Sequence, residues 1–224
     1  VGALIGWGNP EDRLKEYGSD SLRIPRKYRW LTGIRNFSIG RSNTNYSELT
    51  AKNISVNGIN FEYNSWYYFA VAAGGVNYRF QDFVVQDGTR KAQTMALARL
   101  GIGSLERNYF ILSPYRGQKQ LFAAGTRGRS TITISGISAE SRWQLNRTTW
   151  LTAEVAKSIA PDYRHVPSQH DAKLDWSDRA SQAMAFRLYS FIPFTNTRIE
   201  AFYKHTGANF QSFSSFQTNA DMES

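Results

Sequence analysis

The sequence contains no cysteine. That excludes disulfide scaffolds, thiolate metal sites and cysteine nucleophiles. It fits the cytosol or a bacterial envelope protein that does without disulfides, and it argues against a eukaryotic secreted domain. The Asn-x-Ser/Thr triplets headed by Asn36, Asn45, Asn53 and Asn146 arise easily by chance in a chain this rich in Asn, Ser and Thr. Long apolar runs are also missing. None reaches the roughly 18–20 residues that a spanning helix requires, and mean hydropathy is -0.47. Charge of one sign is never concentrated: the net charge is +9 and the isoelectric point about 9.8, yet no Lys/Arg run reaches five. A basic balance draws nucleic acid, anionic membranes or acidic partners, but scattered cations argue against nucleic acid. No basic-headed signal segment opens the chain: VGALIGWG reads as a strand, and the end is the polar FQTNADMES. The 224 residues are expected to be a piece of a longer protein. Methionine is scarce, at 3, against 12 Tyr, 14 Phe and 6 Trp, so rings with one polar edge are over-supplied.

What is present is a two-residue period. In residues 131–145, one row is Thr131, Thr133, Ser135, Ile137, Ala139, Ser141, Trp143 and Leu145. The alternate row is Ile132, Ile134, Gly136, Ser138, Glu140, Arg142 and Gln144. Two rows of different chemistry mark a strand with two different solvents. After the turn Asn146-Arg147-Thr148, Leu151, Ala153, Val155 and Ile159 share a row, with Lys157 as its exception, while Trp150, Thr152, Glu154 and Ser158 share the other. The layout recurs in 54–63 with 66–80, in 94–103 with 109–116 and in 182–193 with 198–206. Weaker strand candidates are 1–8 and 31–40, and Asn57-Gly58 reads as a bulge or kink rather than a hairpin turn.

The connections alternate: short at 64–65, long at 81–93, short at 104–108, long at 117–130, short at 146–148, long at 160–181, short at 194–197, long from 207. In a meander this puts every short turn at one end. Outer-membrane barrels have that asymmetry, with strands of about ten residues. The expected fold is all-β: an antiparallel up-and-down transmembrane β-barrel, or part of one, forming a single unit over 1–224 with confident strands within 54–206. Trp66, Tyr67, Tyr68, Trp143, Trp150, Tyr189 and Phe194 lie near strand ends and are expected to form an interfacial aromatic girdle. The alternative is a soluble β-sandwich or jelly roll that binds carbohydrate through surface aromatics.

The stretch LTGIRNFSIGRSNTNYSELTAKNISVNGINFEYNSWYYFAVAAGGVNYRF resembles barrel strands of Gram-negative, Bacteroidota-like outer-membrane β-barrel proteins, on Gly58-Ile59-Asn60-Phe61-Glu62-Tyr63 followed by Trp66 to Gly75. As a pattern the resemblance spans roughly residues 30–210 and includes no catalytic motif. It implies an outer-membrane location and a role in transport, secretion or surface assembly, as a porin-like pore, a secretion component or a structural member of an envelope complex. The chain departs from many such barrels in ending on Met222-Glu223-Ser224 rather than on an aromatic residue.

Residues that carry chemistry are sparse. His165 and His170 stand five apart in a long connection, unlike a helical zinc pair. Asp171, Asp175 and Asp178 read as solvated carboxylates rather than a calcium loop. Gly101-Ile102-Gly103 lacks the following helix that a phosphate loop needs, and crowded strands explain it more simply. Ser190 with His205 is the remaining hydrolase pairing to weigh. No enzyme activity, cofactor or metal is expected. The long connections are basic at Arg79, Arg90, Lys91, Arg116, Lys119, Arg127, Arg129, Arg164, Lys173 and Arg179. Of these, Arg116, Lys119, Arg127 and Arg129 are candidates for contacting lipopolysaccharide phosphates, because guanidinium forks suit them. The expected partners are outer-membrane lipid, lipopolysaccharide and other envelope proteins, not nucleic acid.

Overall fold

The computed structural model describes residues 26–77, 92–120, 131–159 and 174–214. A 3-10 segment, Arg26–Gly33, leads into nine strands: β1 Ile34–Thr44, β2 Ile54–Asn64, β3 Tyr67–Asn77, β4 Thr94–Gly103, β5 Tyr109–Gln120, β6 Thr131–Asn146, β7 Thr149–Ile159, β8 Gln182–Ile192 and β9 Thr197–Thr206. They form one antiparallel sheet in sequence order, β1 through β9. Among the described residues β1 and β9 are not paired with each other, so the sheet is not closed. No described helix is long and apolar enough to cross a membrane.

Up-and-down order sorts the connections as the sequence indicates. The turns at 65–66, 104–108, 147–148 and 193–196 fall at one end, the turn end. The connections at 45–53, 78–93, 121–130 and 160–181 fall at the other, the loop end. The strand expected at 31–40 lies at 34–44, after the 3-10 segment, and β5 continues through 120 where a loop was expected from 117. The candidate strand 1–8 lies outside the described residues. Asn57-Gly58 is neither a turn nor a bulge: Asn57 pairs with Arg41 and Gly75, and Gly58 with Gly40 and Gly74, in unbroken register. Glycine is required there by close approach, since a Cβ on Gly58 would lie 2.0 Å from the Ala73 carbonyl oxygen. Gly101 answers to the same cause, with its Cβ position 2.5 Å from the Phe110 carbonyl oxygen, so the Gly-x-Gly pair serves strand packing.

The two rows of each strand meet different surroundings. Phe37, Ile39, Ile59, Leu100, Ile102, Phe110, Leu112, Trp143, Leu145, Val155, Met184, Phe186 and Ile199 are exposed on one face, the outer face. Aromatic contacts run along it from strand to strand, Phe37 to Phe61 at 6.4 Å and Phe61 to Phe69 at 6.1 Å. Towards the loop end the outer row turns polar, at Arg41 and Asn57 and again at Arg116, Gln118 and Thr133. The opposite, inner face is where burial occurs. Near the loop end it is apolar: Ile54, Val56, Ala72, Val76, Met95, Leu97, Tyr115 and Ile134 pack with Ala51 and Phe213. Beside them Leu49 and Phe210 fill the space left by Ala156, Ala183 and Ala185. Two stretches outside the strands therefore occupy the concave side, the β1–β2 connection and the residues after β9. Backbone and side chain tie them together: the Phe213 amide donates to the Thr50 carbonyl at 3.0 Å, and the Ser214 hydroxyl donates to the Glu48 carbonyl at 2.8 Å.

Overpacked backbone contacts typically cost about 1–3 kcal/mol. Gly58→Ala is expected to lower the thermal unfolding midpoint by several degrees, whereas Gly75→Ala, whose added Cβ meets nothing nearer than 3.8 Å, is expected to leave it unchanged. Equal midpoints in thermal scans of the two variants would show that the strands do not approach as described.

Candidate functional site

The inner face at mid-height carries charge. Arg99 on β4 is 3 % exposed, and its row-mates Met95 and Leu97 are buried and apolar. Its Nη2 donates to Glu140 Oε2 on β6 at 2.5 Å, and its Nε donates to the Ser113 hydroxyl on β5 at 3.2 Å. The Tyr109 hydroxyl donates to the other carboxylate oxygen of Glu140 at 2.5 Å. The guanidinium carbon lies 5.2 Å from the Tyr46 ring centroid and 5.3 Å from that of Tyr68. Tyr68 in turn donates to Glu62 at 3.0 Å, and Tyr46 donates to Asn60. A buried charge is tolerable only when paired and hydrogen-bonded, and here β5 supplies Ser113 and β6, one strand further on, supplies Glu140.

A second charged group holds the β1–β2 connection. Glu48 forms ion pairs with Lys52 and with Arg187 on β8. The Leu49 amide donates to Glu154 on β7 at 3.1 Å. Between this connection and strands β5 to β9 lies a cavity of about 270 Å3, whose lining includes Glu48, Lys52, Tyr109, Glu140, Arg142, Trp150, Glu154, Arg187 and Phe202. Towards the turn end a row of cations and rings crosses β6 to β9. Arg142 stands 4.5 Å over Trp150, Trp150 stacks on Tyr189 at 3.9 Å and 17°, and Arg198 stands 4.9 Å over Tyr189. Each ring is held between the other ring and a guanidinium. Such contacts contribute about 0.5–2 kcal/mol each, and they leave a sugar no open platform on these rings.

The girdle residues therefore divide. Trp66, Tyr67, Trp143 and Phe194 are exposed, with Tyr67 and Trp143 on the outer row. Tyr68, Trp150 and Tyr189 lie on the inner face, because register fixes their direction: Trp150 pairs with Tyr189, and Glu154 on the same row is buried. Arg116 is exposed on the outer row of β5, above Pro114 and Leu112, and Lys119 also belongs to β5; neither is on a loop. Arg127 and Arg129 lie outside the described residues, as do Arg79, Arg90, Lys91, Arg164 and Lys173, and likewise His165, His170 and Asp171.

The remaining chemical candidates separate. Asp175 accepts from the hydroxyl and the amide of Ser177, bonds that hold its carboxyl below the usual carboxylate range. Asp178 caps the 3-10 turn Arg179–Ser181 by accepting from the Ala180 amide at 2.9 Å. Both carboxylates thus serve local turns, and among the described residues no group of three or more His, Asp or Glu is placed to hold a metal ion. The Ser190–His205 pairing does not form. Ser190 is opposite Ile199 on β9, six residues from His205, about 20 Å at roughly 3.3 Å per residue.

The two-residue period places Glu140, Arg142 and Glu154 on the non-apolar row but does not indicate their partners. A lone Arg99 in the apolar run TMALARLGIG was the available signal. Nothing in the local pattern of NYSELTAKN marks it as an interior segment. Comparison with models of protein families, with curated proteins and with solved structures gave no match to this chain.

Removing one partner of a buried ion pair costs about 3–5 kcal/mol, while replacing both with apolar residues is often neutral. Glu140→Ala is expected to destabilise the fold by that order in denaturant unfolding, and Arg99→Met with Glu140→Leu to recover most of the loss. A double variant no more stable than the single one would argue against the buried pair as the source.

Proposed function

We propose that this chain forms the wall of a transmembrane β-barrel, or a segment of one, in a bacterial outer membrane. There it serves as a pore, as a secretion or translocation component, or as a structural member of an envelope complex. The observation that carries the reading is the inversion of the two faces. Large apolar side chains stand exposed on the outer row of every strand, while Arg99, Glu140 and Glu154 are buried on the inner row. In water, each exposed Leu, Ile or Phe forgoes about 1.5–3 kcal/mol available on burial, and patches beyond a few hundred Å2 mark membrane or partner surfaces. In hydrocarbon the same row is matched to its solvent, and backbone groups must pair within the sheet.

The band has a height to match. Outer positions from Ile137 to Leu145 on β6 are eight residues apart, about 26 Å of strand and roughly 20 Å of membrane normal at a 40° tilt. Arg116 at the loop-side border of this band suits a headgroup phosphate. Within the wall, the filling of the loop end by residues 45–53 and 207–214 supports a closed or gated barrel over a freely open channel. The soluble sandwich alternative needs two sheets with apolar faces together, and the described strands form one sheet with a charged concave side.

On this reading the protein partitions with membranes, needs detergent for extraction and migrates faster on gels when unboiled; recovery in the soluble fraction after cell breakage would overturn it. An epitope inserted at Asn146 should stay hidden on intact cells, and one near Ala124 should be labelled. Replacing Arg116, Arg127 and Arg129 together by Ser is expected to lower the thermal midpoint in lipopolysaccharide-containing bilayers but not in plain detergent. Equal shifts in both would remove the headgroup role.

A further inference from the structure

Of the buried polar side-chain atoms that have no hydrogen-bond partner among the described residues, three belong to residues lining the cavity of about 270 Å3: Glu154 Oε1, Arg142 Nε and Arg187 Nε. One acceptor and two donors are thus left unmet around one space. Each such group costs about 1–3 kcal/mol when nothing bonds to it, so an occupant that meets all three is favoured.

Register sorts these atoms by charge. Across β6 to β9 one rung of the inner row is Glu140, Glu154, Ala185 and Lys204. The next rung towards the turn end is Arg142, Thr152, Arg187 and Phe202. The first rung is short of a cation. Its two carboxylates face each other, and Arg99 bonds Glu140. Glu154, 3 % exposed, has the Leu49 amide on Oε2 and no partner on Oε1. The Ser47 hydroxyl, which also lines the cavity, is engaged with Thr50. Lys204 stands two strands from Glu154, about 10 Å across the sheet, with Ala185 between them. The second rung is short of an anion. Arg142 donates from Nη1 to the Leu105 carbonyl at 3.0 Å and lies over Trp150. Arg187 shares Glu48 with Lys52, and its Nε is 3.9 Å from the Glu200 carboxylate, beyond hydrogen-bond reach.

We propose that this cavity is a binding site for a small zwitterion, a compact α-amino acid, whose ammonium bonds Glu154 and whose carboxylate lies on Arg142 and Arg187. A simple anion or cation would satisfy one rung and leave the other. A neutral polyol would supply hydrogen bonds but neither missing charge. Two residues of strand put the rungs about 6.7 Å apart, and hydrogen bonds of about 2.9 Å at each end leave room only for adjacent ammonium and carboxylate groups. The volume agrees, since pockets for drug-sized ligands run to roughly 300–1,000 Å3. Nothing in this site requires the membrane, so it is independent of the barrel reading.

Glycine and L-alanine are titrated calorimetrically into the purified full chain, with acetate, methylammonium and glycerol as controls that each carry part of the zwitterion's chemistry. Saturable binding of glycine or L-alanine is expected, with every control at least about tenfold weaker. Glu154→Gln and Arg142→Met should each weaken that binding about tenfold or more, the loss of one charged hydrogen bond. Arg147→Ser, on the neighbouring turn and outside the cavity lining, should leave it unchanged. Thermal midpoints establish that each variant is folded; if one is not, the ligand series on the unaltered chain decides. No saturable heat at about 10 mM of either amino acid, binding no tighter than that of a control, or folded Glu154→Gln and Arg142→Met variants that bind as the unaltered chain does would each overturn the site.

Discussion

Everything in this molecule depends on the ladder keeping its register across nine strands. A side chain on a strand faces one side or the other by parity alone, so a slip of one residue in any pairing would carry a whole row to the wrong solvent. Here the register is continuous from Ser38 opposite Asn60 to Glu140 opposite Glu154 and Ala185 opposite Lys204, and Glu140, Arg142, Glu154 and Arg187 all stay on the inner row. A slip at β4 alone would expose Arg99 on an apolar face and bury Leu100 against carboxylates. That penalty, of several kcal/mol for the unpaired charges, selects one register out of many that the backbone hydrogen bonds would accept.

The concave side is then a consequence of what the outer face leaves unavailable. With the large aliphatic residues turned outward, the sheet cannot build a conventional apolar core at mid-height. It instead holds an ion pair, tyrosine hydroxyls and short side chains, with Arg99 and Tyr109 both bonded to Glu140. At the loop end the deficit of bulk is met by Leu49, Phe210 and Phe213 brought in from outside the strands. Glu48 couples this filling to the wall, since it is ion-paired to β8 through Arg187 while its carbonyl accepts from Ser214. At the loop end the inner face is thus covered by the β1–β2 connection and the residues after β9.

The same division explains the split among the aromatic residues. Exposed rings at the turn end, such as Trp66 and Phe194, are not buried by the other described residues. Inward rings are instead saturated: Trp150 and Tyr189 occupy one another and two guanidiniums. Aromatic content alone does not distinguish a ring on the exposed face from one packed on the inner face. Parity within the strand does.

The strands within 54–206, several of their limits and the split between short and long connections were legible in the amino-acid sequence, because a two-residue period is a local property that needs no partner to be seen, while β1 and the end of β5 were placed several residues off. The limits of 94–103 and 149–159 follow directly from where that period begins and ends. The row that holds Glu140 and Arg142 was equally legible. What only the tertiary structure decided is which groups meet across the sheet and what fills its concave side. Arg99 finds Glu140 over 41 residues of sequence, and Leu49 finds Glu154 over 105. Residues 45–53 carry no period to announce that they fold inward. Their position comes from complementarity with Ala156, Ala183 and Ala185, small side chains on strands far along the chain. Local alternation specifies the ribbon, but the space that a curved sheet leaves inside is a property of all its strands at once.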